Sequence, residues 1–101
     1  MKKEIPMELG RIVRTRAGRD KGRYFVVVDI LDEEYVHIVD GELRKLANPK
    51  RKKVKHLDPT KDVHEGLRDK IVHGVRIFDA EVRKCLKNMG YMPDAKRSKE
   101  G

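Results

Sequence analysis

The chain of 101 residues has no tryptophan, two phenylalanines and three tyrosines, so aromatic surface is scarce. One cysteine, Cys85, excludes an internal disulfide and fits a reducing compartment. No stretch approaches the roughly 18 apolar residues that a membrane-crossing helix needs. The opening MKKEIPMELG has two lysines but no apolar run behind them, so it does not read as a signal peptide, and a cytoplasmic location is expected. His37, His56, His64 and His73 are scattered and lack the paired spacing of a zinc site. No metal or cofactor is therefore expected. No Ser/His/Asp partnership, spaced carboxylate pair or phosphate-cradling glycine motif before a helix is present. Cys85 reads as a small buried hydrophobe on a helix rather than a nucleophile. An enzyme is not expected.

Charge is abundant instead. Charged residues make up 42% of the chain and hydrophobic ones 38%, which implies a thin core inside a charged shell. The net charge is +8, and it is uneven. Residues 1–56 hold 15 Lys and Arg against 9 Asp and Glu, whereas residues 57–101 hold 10 against 8. The first half therefore carries the excess that suits a polyanion.

Hydrophobic periodicity organises the chain around residues 9–28, LGRIVRTRAGRDKGRYFVVV. Gly10–Thr15 and Tyr24–Leu31 read as strands, joined by a basic loop punctuated by Gly18 and Gly22. Residues 35–39, YVHIV, read as a third strand. Asp40-Gly41 signals a type I′ hairpin, followed by a fourth strand over Glu42–Leu46. Asn48-Pro49 ends that strand, and Lys52–Leu57 reads as a fifth. The inward set is expected to hold Ile12, one alternate set of Tyr24–Leu31, Ile38, Leu43, Leu46 and Val54. Periodicity leaves the register of FVVV open. Five short strands with tight turns predict a mainly β fold, a small five-stranded barrel.

The remainder reads as helical. Thr60 or Asp62 is placed to cap a helix running to about His73, with Val63, Leu67 and Ile71 on one face and Gly74 beyond its end. Asp79 is placed to cap a second helix, Ala80–Met89, whose apolar face holds Val82, Cys85, Leu86 and Met89. The expected organisation is a flexible lead-in at 1–8, a barrel at 9–58, two short helices packed on it at 59–90, and a disordered tail at 91–101.

Two basic clusters stand out. Arg16, Arg19, Lys21 and Arg23 occupy the first loop. Arg44, Lys45, Lys50, Arg51, Lys52, Lys53 and Lys55 form the second, with His56 inside it. Consecutive cations repel one another unless an anion neutralises them. The plain alternatives are a solvated loop with an internal pair such as Arg to Asp20, and a solubility patch or sorting signal. Few aromatics and many cations favour reading of the nucleic-acid backbone and shape over sequence. Tyr24 and Tyr35 could stack on an unpaired base or simply fill a barrel end.

Gly10, Ile12, Val13, Ala17, Gly18, Asp20, Lys21, Gly22 and the hydrophobic run behind them resemble the KOW motif of nucleic-acid-binding SH3-like barrels. Asp40-Gly41, residues 43–46 (LRKL) and residues 48–57 (NPKRKKVKHL) extend the resemblance. Together they are similar to short bacterial KOW-domain RNA-binding proteins, relatives of a large-subunit ribosomal protein of archaea and eukaryotes. The resemblance implies an SH3-like barrel and binding of large-subunit ribosomal RNA, with ribosomal proteins as further neighbours; the free chain is expected to be a monomer. The short, nearly charge-balanced C-terminal extension fits a transient translation factor as well as a permanent ribosomal protein. Rival readings are a transcription-elongation module and a protein-interaction barrel that uses the acidic residues Asp29, Asp32, Glu33 and Glu34.

Overall fold

The most apolar strand of the chain lies in the middle of the sheet. The computed structural model describes residues 7–92. Its elements are β1 (Arg11–Thr15), β2 (Tyr24–Ile30), β3 (Tyr35–Val39), β4 (Lys50–Lys53), a 3-10 turn (Val54–His56), β5 (Leu57–Val63), α1 (Glu65–Val72) and α2 (Asp79–Asn88). The strands form one antiparallel sheet in the order β4-β3-β2-β1-β5, followed by the two helices. This is the mainly β, SH3-like architecture expected. The expectations for residues 1–6 of the lead-in and 93–101 of the tail lie outside the described residues.

Both faces of the sheet are buried, which explains why the FVVV register was ambiguous. Ile12, Val26 and Val39 pack with Leu67, Val82, Cys85 and Leu86 of the helices. Val13, Phe25, Val27, Val36 and Ile38 pack with Leu57 on the opposite side. Both alternate sets of β2 are therefore core, not one. A two-sided strand loses its polar-out positions and with them its period-two signal. Leu46 and Val54 are part-buried against these clusters as expected, but Leu43 is exposed.

The fourth and fifth strands differ from the sequence reading. Asp40-Gly41 does not make a type I′ hairpin, because Gly41 has a φ of +80° but Asp40 has no positive φ. Asp40 is fully buried, and its Oδ1 accepts the amides of Glu42 at 2.9 Å and Arg44 at 2.8 Å. That folds residues 40–49 into a looped segment instead of a strand over Glu42–Leu46. The segment lies against α2: a Cβ at Gly41 would run into the Asp79 carbonyl oxygen, and Arg83 donates to the Gly41 carbonyl at 2.8 Å. The fourth strand is the basic run Lys50–Lys53, and the fifth begins where the expected one ended. Charge on β4 is tolerable because it is an edge strand, where cations deter pairing with other chains.

Pairing with β1 also overrides the early start read for the first helix. Residues 57–63 are strand, with a bulge around Thr60, whose hydroxyl donates to the Ile12 carbonyl at 2.8 Å. Neither Thr60 nor Asp62 caps α1. His64 does, its Nδ1 accepting the Leu67 amide at 3.1 Å. In α2 the cap position is Phe78, whose amide donates to Glu81 at 3.0 Å. Asp79 opens the helix and accepts the Leu46 amide at 2.8 Å. A Lys70–Glu81 ion pair joins the two helices, and it holds the Glu81 carboxyl below its ordinary pKa.

Two stability measurements check this packing. Ile38→Ala should cost about 2–5 kcal/mol in denaturant unfolding, the usual range for emptying a core site. Arg23→Ala should also destabilise, because Arg23 Nη2 lies 3.5 Å from the Oδ2 of buried Asp40. Breaking a buried pair costs about 3–5 kcal/mol. The loss here should fall below that range, about 1–3 kcal/mol for a buried acceptor that loses its partner, since the Arg23 side chain retains 36% exposure. An Arg23→Ala protein as stable as the parent would show that Asp40 does not depend on this partner.

Candidate nucleic-acid interface

The first basic segment is a rigid loop. The Thr15 amide donates to the Arg23 carbonyl at 3.0 Å, and the Gly22 amide returns to Thr15 at 2.9 Å. Lys21 closes onto Gly18 at 3.2 Å, and Arg23 onto Asp20 at 3.0 Å. Gly18 and Gly22 supply φ values of +93° and +89° that a side chain would resist. Arg19 and Lys21 stand exposed on this frame.

The second segment is not a loop but an edge strand and a 3-10 turn, and it touches the first. Lys52 Nζ donates to the Ala17 carbonyl at 3.2 Å. The Arg16 amide donates to the His56 carbonyl at 2.9 Å, and its guanidinium to the Lys55 carbonyl at 3.2 Å. Residues 16–18 and 52–56 therefore lie side by side. Strand alternation divides the four consecutive cations between two faces. Lys50 and Lys52 pair with Ile38 and Val36, whereas Arg51 and Lys53 pair with His37 and Tyr35.

Not every cation of the two clusters is available. Arg16 lies 3.4 Å from Asp58, so its acidic partner is Asp58 rather than Asp20, and Arg14 reaches the same carboxylate at 3.9 Å. Arg23 is held by Asp40. Among the described residues, Arg19, Lys21, Lys50, Arg51, Lys52, Lys53 and Lys55 have no carboxylate within 4.0 Å. The same holds for Arg44 and Lys45 of the 40–49 segment, whose Gly41 lies against α2. His56 is exposed on the 3-10 turn.

Tyr24 and Tyr35 occupy different settings. Tyr24 packs on Tyr91, with ring centroids 4.7 Å apart, and both rest against the helix-side core. Tyr35 lies under Arg51 and Lys53. The structural roles of Asp40 and Asp58 escaped the sequence reading, because an isolated aspartate carries no local signal of a distant cation. Burial pushes the Cys85 thiol up to about 11, which leaves it protonated at neutral pH and unsuited to nucleophilic work. Among the described residues, no group of three His, Cys, Asp or Glu is arranged to hold a metal, and no helix is long and apolar enough to cross a membrane.

No protein-family model matches the chain. Among curated proteins, the large ribosomal subunit protein eL14 of Staphylothermus marinus is 35% identical over 85 residues, covering 83% of this chain and 80% of that protein. The eL14 of Desulfurococcus amylolyticus is 46% identical over 56 residues, covering 54% of this chain and 56% of its own length. The Methanococcus vannielii eL14 is 37% identical over 54 residues, covering 54% and 64%. These relatives are archaeal, which supports the ribosomal branch of the KOW resemblance and gives none to its bacterial attribution. With the S. marinus match spanning four-fifths of that protein, the chain belongs to the eL14 family of large ribosomal subunit proteins.

Proposed function

We propose that this protein binds ribosomal RNA of the large subunit, chiefly through the phosphate backbone. The β1–β2 loop and the Lys50–His56 segment act together as one positive surface. The observation that carries this reading is their direct contact, Lys52 on Ala17 and Arg16 on Lys55 and His56. Arg19, Lys21, Lys52 and Lys55, with no carboxylate within 4.0 Å among the described residues, meet phosphates there, and Arg16 shares its charge with Asp58. Arg44 and Lys45 offer a neighbouring contact from the 40–49 segment. Arg23 has a structural task in holding Asp40 and contributes less to binding.

Family membership supports the choice of RNA, since charge alone would serve DNA equally. The relatives' names place those proteins in the large ribosomal subunit. By that route, ribosomal RNA and neighbouring ribosomal proteins are this chain's partners, and the role is that of an assembly component without catalysis.

Backbone binding makes a quantitative demand. Each phosphate neutralised contributes about −0.7 to −0.9 to the log–log salt slope, so six to eight engaged cations give roughly −4 to −7. Arg19→Ala with Lys21→Ala should flatten that slope by about 1.4 to 1.8, the share of two phosphates, and leave the melting temperature nearly unchanged. Filter binding to large-subunit RNA across a salt series reads both values. An unchanged slope in the double variant would remove the loop from the interface. Co-sedimentation with RNA polymerase instead of the large subunit would favour the transcription reading.

A further inference from the structure

The helices cover only part of their side of the sheet. Strand β3 alternates regularly, with Val36 and Ile38 in one core and Val39 in the other, beneath the helices. Tyr35 and His37 share the face of Val39, yet both remain part-exposed. The pairs Tyr35–Lys53 and His37–Arg51 bring the alternate cations of β4 onto this same strip. There the Arg51 guanidinium carbon lies 4.5 Å from the Tyr35 ring centroid, and Lys53 Nζ lies 5.8 Å from it. Arg51 is exposed, and neither cation has a carboxylate within 4.0 Å among the described residues.

Edge protection alone would account for positive charge on β4. It does not account for an aromatic ring under a guanidinium. A ring fixes the guanidinium plane and leaves its other face turned outward, and such a plane can stack on a nucleobase. Lysine at the same position would keep the charge but offer no plane.

We propose that the Tyr35–Arg51 pair is a stacking platform for one unpaired base of the bound RNA, with Lys53 neutralising an adjacent phosphate. The inference rests on the RNA-binding reading above and deepens it. It assigns a preference for looped over fully paired RNA, which phosphate contacts do not supply.

The test uses the full chain and two RNA probes, a hairpin with a fluorescent adenine analogue in its single-stranded loop and a fully paired duplex. Wild-type protein should bind the hairpin more tightly and quench the analogue. Arg51→Lys and Tyr35→Leu should each weaken hairpin binding by about 5- to 150-fold, the range for losing one stacked base. Tyr35→Leu should leave duplex affinity, its salt slope and the thermal melt unchanged. Equal binding of both probes, with Arg51→Lys indistinguishable from wild type, would overturn the platform and leave backbone binding intact. Failure to bind either probe would overturn both.

Discussion

Burial of β2 on both faces is the constraint from which the arrangement follows. Phe25 and Val27 face one core and Val26 faces the other, and all three are almost completely buried. A strand with no polar side must sit inside the sheet and be covered twice. Neighbouring strands and the 3-10 turn cover one side, and two short helices cover the other. Polar strands are then forced outward. The least apolar strand, KRKK, falls at the edge, where its cations meet water and the β1–β2 loop.

The same constraint explains how a thin core holds charged loops still. Loop 16–23 is closed by its own amides, and Arg23 ties it to Asp40. Asp40 also binds the amides of Glu42 and Arg44, so one buried carboxylate orders both segments. Gly41 lets that segment press against α2. Rigid display matters for a binding surface, because side chains already in place lose less entropy on association.

Much of this was legible in the chain. Residues 35–39 are rich in β-branched residues, and the ends of β1 and β2 are marked by glycines and a polar turn. The apolar spacing of Val82, Cys85 and Leu86 announced the second helix. Loss of signal had definite physical causes elsewhere. Asp40-Gly41 looked like a hairpin because a side-chain-capped loop uses the same residues. KRKK has poor strand propensity, and only its place beside β3 makes it a strand. Residues 58–63 contain Pro59 and favour caps and turns, yet β1 captures them through a bulge. As for the interface, the cations were visible in sequence, but their partners were not. Asp58 on Arg16 and Asp40 on Arg23 divide one run of positive charge into engaged and available members.

The central claim is that two separate stretches of sequence form one surface for RNA. Ultraviolet crosslinking of the protein to its own large ribosomal subunit, followed by peptide mapping, tests it most directly. The account requires RNA adducts on peptides from both 16–23 and 50–57 in the same particle. Adducts confined to the α2 region, or to one of the two stretches, would contradict it.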